Sequence, residues 1–96
     1  MLELRPTCEN CDKPLLPDSQ EAMICAYECT FCVDCVDTIL ENVCPNCGGG
    51  FEKRPVRPKK ELEKNPPKGN RVYKPVDLDA FQNLKEANKN IPPKDR

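Results

Sequence analysis

The chain has 96 residues, with eight cysteines, eleven prolines, no histidine and a net charge of −1. A chain this short buries little apolar surface, so disulfides, a metal or a partner must supplement its core. The lack of histidine removes the commonest general acid–base and the imidazole half of a nucleophile–base pair, which speaks against an enzyme.

The N-terminal stretch Met-Leu-Glu-Leu-Arg-Pro-Thr has no apolar run of the signal-sequence kind, and nothing later approaches a membrane span. A cytoplasmic location is therefore expected, with no membrane partner. In that reducing setting paired cysteines are metal ligands rather than bridges. A cysteine module should occupy about residues 5–51. In chain order, Glu21-Ala-Met-Ile-Cys25 predicts a short strand, and Tyr27-Glu28 a turn. Val33 to Asn42 predicts a helix, because Val36, Ile39, Leu40 and Val43 recur at i, i+3, i+4 and i+7. Gly48-Gly49-Gly50 marks a sharp bend, after which Phe51 should return to the core.

Beyond residue 51 the composition changes, and seven of the eleven prolines lie there. Proline removes a backbone donor and blocks helix continuation, so long elements are not expected. One short helix fits Lys59–Asn65. Another starts at the N-cap candidate Asp77 and runs to about Asn90, with Leu78, Phe81, Leu84 and Ala87 as a thin apolar strip. Residues 1–51 hold nine acidic and two basic residues (−7), and residues 52–96 hold seven and thirteen (+6). This split predicts a basic, Pro-rich arm over residues 52–75, partly docked on an acidic head. Val56, Leu62, Val72 and Tyr73 are its expected apolar anchors. Residues 76–96 are expected to be mobile or marginally helical, since an isolated helix of that length is marginal in water.

The cysteines read C-x2-C, thirteen residues, C-x3-C, two residues, C-x2-C, eight residues, C-x2-C. Four pairs make two sites of four. Zinc suits them, because it accepts all-thiolate tetrahedral coordination without a d-electron preference. The expected cofactors are thus two zinc ions. Spacing alone leaves two pairings open: sequential, with Cys8, Cys11, Cys25 and Cys29 on one ion, or interleaved. The knuckle Cys44-Pro-Asn-Cys47-Gly48 also resembles that of rubredoxin, an iron protein, but rubredoxin has two pairs where this chain has four.

The order and spacing of the pairs resemble the RING-type cross-brace over about residues 7–51, with Cys29 where the common form has histidine. The resemblance implies a first site of Cys8, Cys11, Cys32 and Cys35 and a second of Cys25, Cys29, Cys44 and Cys47. It implies a small metal-stabilised α+β fold: a RING-like or treble-clef zinc module with a short β-hairpin and one helix, followed by an extended Pro-rich basic tail. Over a longer span the blocks RPTCENCDKPL, EAMIC, ECTFC, CPNCGG and RVYKP resemble a family of short bacterial proteins known as a domain of unknown function.

Eight cysteines fill two closed four-ligand sites, whereas a catalytic zinc keeps a position for water. The carboxylates Glu9, Asp12, Asp18, Glu28 and Asp34 read as a solvated acidic surface. The expected function is a structural, protein-interaction module, acting as a monomer on a protein partner that the sequence does not specify. The alternative is nucleic-acid binding through Lys53, Arg54, Arg57, Lys59, Lys60, Arg71 and Lys74, with Tyr73 available to stack. The RING resemblance also raises ubiquitin-ligase-like activity. The family's usual apolar residue after the second ligand and cation after the last are here Asp12 and Gly48, which weakens that reading.

Overall fold

The computed structural model describes residues 2–67 and 69–96. Two strands, β1 (Ala22–Ile24) and β2 (Thr30–Cys32), form an antiparallel hairpin with Met23 opposite Phe31. The turn between them is made by Glu28, whose backbone sits in the left-handed region at φ 64° and donates to the Cys25 carbonyl. A third strand, β3 (Glu52–Lys53), pairs antiparallel on the other side of β1, giving the order β2-β1-β3. The head therefore continues past the expected boundary at residue 51. Composition concealed β3 because its two residues are charged and exposed. Backbone hydrogen bonds, not side-chain burial, define it.

Helix α1 (Val33–Cys35) runs without a break into a π-helical turn, Val36–Leu40. The expected helix is present over this span, but its second half is wider than an α-helix. Two successive left-handed residues, Glu41 at φ 48° and Asn42 at φ 61°, end it. Val36, Leu40 and Val43 are all buried beside Phe31 and Phe51, whose rings meet edge-to-face at 5.4 Å.

Beyond β3 lie α2 (Lys59–Lys64), α3 (Leu78–Asn88) and a 3₁₀ turn at Pro93–Asp95. Asp77 caps α3 by accepting from the backbone N–H groups of Asp79 and Ala80. All three expected helices are present among the described residues, one in the cysteine module and two beyond it, and the tail folds back. Phe81 of α3 is only 5% exposed and joins the core cluster, with Leu84 packed against it. A marginal helix has gained a surface to lie on, which is what its thin apolar strip lacked in isolation.

Of the arm's four expected apolar anchors, Leu62 and Val72 are half-buried. Val56 and Tyr73 remain 46% and 49% exposed. Polar contacts hold the arm as well: Arg54 is 3% exposed and donates to the carbonyls of Arg5 (2.9 Å), Leu15 (3.4 Å) and Leu16 (2.9 Å). Among the described residues no helix is long and apolar enough to cross a membrane.

Candidate metal centres

The first and last cysteine pairs sit on two loops of the same design. In the first, Cys8 N–H donates to Lys13 O and Asp12 N–H to Cys8 O, both at 2.9 Å. In the last, Cys44 N–H donates to Gly49 O at 2.8 Å and Gly48 N–H to Cys44 O at 2.7 Å. Each turn needs a left-handed residue after its second cysteine: Asp12 at φ 65° and Gly48 at φ 76°. Those two residues, which depart from the RING ligase pattern, are here turn-formers.

The hairpin and α1 carry the other two pairs. Cys32 ends β2 and Cys35 ends α1, so both face the first knuckle. The sulfurs of Cys8, Cys11, Cys32 and Cys35 all lie within 4.8 Å of one another, with Cys8–Cys35 at 3.8 Å and Cys11–Cys32 at 3.7 Å. A tetrahedron built on a Zn–S bond of about 2.3 Å has sulfur–sulfur edges of about 3.8 Å. The donor set and its spacing fit a tetrahedral metal ion. Cys25, Cys44 and Cys47 form a second group within the same radius. Cys29, the expected fourth ligand, is not within that radius of all three; its sulfur accepts from Asn46 Nδ2 at 3.4 Å.

Burial pushes the thiols of Cys35, Cys44, Cys32 and Cys29 up. For all four, neighbouring thiolates add to the rise. Burial acts upward on Cys8 too, but the N–H groups of Cys11, Cys32 and Asn10 together hold it below its ordinary value. Sulfurs crowded this way resist ionising by themselves, and a dication among them would reverse that preference.

Two asparagines, one in each knuckle, complete the surroundings. Asn10 donates to Cys35 Sγ at 3.4 Å and accepts from Val76 N–H at 2.9 Å. Asn46 donates to Cys29 Sγ and, at 3.1 Å, to Glu9 Oε1. Glu9 is not a surface carboxylate: it is 5% exposed, and its Oε2 lies 3.8 Å from Arg5. The sequence held one signal for the asparagines, which occupy the same position in CENC and CPNC.

The seven candidate nucleic-acid contacts do not share one environment. Arg54 is buried, and burial lowers its pKa. Arg57 donates to the carbonyls of Leu2 and Asn65, and Arg71 makes a two-pronged ion pair with Asp12. Lys53 donates to Gln20 Oε1 at 3.1 Å, whereas Lys59, Lys60 and Lys74 are exposed. Arg71 also lies over the Tyr73 ring, 5.1 Å from its centre.

The family model described as "Protein of unknown function (DUF1272)" matches residues 1–57. The chain belongs to this family. DUF1272 thus covers the strands, both knuckles and Arg54, and ends before α2. An uncharacterized protein of Rhizobium meliloti (strain 1021) is 57% identical over 75 residues, covering 78% of this chain and 89% of that protein. No solved structure matches the chain.

Proposed function

We propose that the protein is a RING-like zinc module that holds two zinc ions in a cross-brace and serves as a non-enzymatic protein-interaction scaffold. One observation carries the zinc reading: four sulfurs from sequence-distant pairs, Cys8 and Cys11 with Cys32 and Cys35, stand at tetrahedral spacing. The gathering of Cys25 with Cys44 and Cys47 supports a second ion, and we assign its fourth position to Cys29, whose sulfur is held by Asn46 of the same knuckle as Cys44 and Cys47. Zinc would supply structural cross-linking, with folding and metal binding as one event.

A protein partner suits the surface better than nucleic acid does. Four of the seven candidate cations, Lys53, Arg54, Arg57 and Arg71, are engaged within the chain. A mainly apolar groove of about 400 Å³ runs between the Leu16-Pro17 turn and α2, lined also by Val56, Pro58 and Leu62. Leu16 is 67% exposed there. A segment with apolar side chains fits this groove.

Metal analysis combined with affinity capture by the full chain tests both halves. Two zinc ions per chain are expected, and a protein retained after nuclease treatment but lost with Leu16→Glu. Retention of nucleic acid would favour the alternative, and one ion or none would overturn the cross-brace.

A further inference from the structure

The first knuckle holds more than cysteines. Three consecutive points of the arm hang on it: Arg71 pairs with Asp12, Lys74 N–H donates to Glu9 O at 2.8 Å, and Val76 N–H donates to Asn10 Oδ1 at 2.9 Å. Helix α3 begins two residues after the last of these. Any opening of the first knuckle therefore acts on the arm and on the start of α3.

The two clusters also differ in how solvent reaches them. Six of the eight cysteines are buried, and the exposed two are Cys11 and Cys47. Cys47 accepts a hydrogen bond from Gly49 N–H at 3.4 Å, which draws charge from its sulfur. Among the described residues no N–H hydrogen-bonds to Cys11 Sγ, and its neighbour is Cys32 Sγ at 3.7 Å. Thiolate character, exposure and a nearby second sulfur are the conditions for selective oxidation.

We infer that Cys11 is a peroxide-reactive site, with Cys32 as its resolving partner, and that oxidation there releases the arm from the head. The inference rests on the zinc reading above, because a metal-held thiolate is the nucleophile. Cys11 thiolate attacks one peroxide oxygen; the S–O bond forms, the O–O bond breaks and hydroxide leaves. Cys32 thiolate then attacks the Cys11 sulfur, the S–S bond forms and a second hydroxide departs. The two sulfurs lose two electrons and the peroxide gains them. The first site keeps two thiolates, too few to retain its ion, and the Cys11–Cys32 bond that replaces the four-sulfur cage re-sets the backbone around Glu9, Asn10 and Asp12.

Hydrogen peroxide, added in small excess to the zinc-loaded full chain, tests this without any variant. Zinc content is measured first, then zinc release by a metallochromic dye, cysteine state by isotope-coded alkylation and mass spectrometry, and the Lys74 and Val76 amides by NMR. The expected result is loss of one of two ions, a Cys11–Cys32 disulfide before any change at Cys44 or Cys47, and shifts of both amides in step with it. Fewer than two ions before peroxide would overturn the zinc reading and this inference together. With two ions present, oxidation of Cys47 first, or a Cys11–Cys32 disulfide that leaves both amides unmoved, would overturn this inference alone.

Discussion

Asn10 and Asn46 make the same contact in the two halves of the head: each side-chain amide donates at 3.4 Å to the second sulfur of a pair elsewhere in the chain, Cys35 and Cys29. Such contacts orient metal ligands and disperse thiolate charge, and removing one typically lowers metal affinity about 10–100-fold. Asn10→Ala should weaken the first site and Asn46→Ala the second, each by that order. Competition with a chromophoric chelator reads the two affinities. Equal loss at both sites from either variant would contradict separate roles.

Removal of metal should unfold the head. The core of Phe31, Leu40, Val43 and Phe51 is small, and six buried cysteines are part of it. In modules of this size metal-binding free energy is folding free energy. A strong chelator is expected to collapse amide NMR dispersion for residues 8–51, and zinc to restore it. Unchanged dispersion after complete metal removal would show a core that stands by itself.

Phe81 should decide whether α3 stays on the head. Truncating a buried phenylalanine costs about 3–5 kcal/mol where the cavity cannot collapse. An edge helix held by one such side chain has little in reserve. In the parent chain, backbone relaxation of residues 78–88 should match that of the strands. In Phe81→Ala it should approach that of a free tail, with two ions still bound.

Arg54→Met should destabilise the zinc-loaded head by about 2–4 kcal/mol, because three carbonyls lose their charged donor in a buried setting. Chemical denaturation under saturating zinc measures this. The same variant should leave any affinity for nucleic acid unchanged, since Arg54 is 3% exposed.

The Asp12–Arg71 pair gives the arm its pH dependence. Hydrogen bonding from Arg71 holds the Asp12 carboxyl below the usual carboxylate range. A depressed carboxylate contributes stability above its unfolded pKa, near 3.9, and loses it as pH falls through the lower folded value. The Arg71 side-chain NMR signals should therefore stay constant from about pH 8 to 5. Asp12→Asn should loosen residues 69–74 at neutral pH while zinc content is unchanged.

The elements visible in the sequence were those written in side chains. Val36, Leu40 and Val43 marked the inward face of the helix, and Asp77 its cap partner in α3. The spacing of the cysteines defined four pairs but left open which of them meet. That depends on the hairpin turning Cys32 back towards Cys8, a consequence of strand pairing. β3 was hidden for the same reason: it rests on backbone N–H and carbonyl groups, which every residue carries. Arg54 was misread because charge predicts exposure unless partners are known, and its partners are carbonyls of Arg5, Leu15 and Leu16.

The gathering of Cys8 and Cys11 with Cys32 and Cys35 has a consequence for synthesis. Chains emerge from the ribosome N-terminus first, at a rate that lets early parts fold before later ones exist. The first cluster is complete once Cys35 has emerged, while the second waits for Cys47. The loop closed by the first holds Cys25 and Cys29, so half of the second site lies within it when its remaining ligands arrive. Loading would then follow a fixed order, with the first ion building the mould for the second.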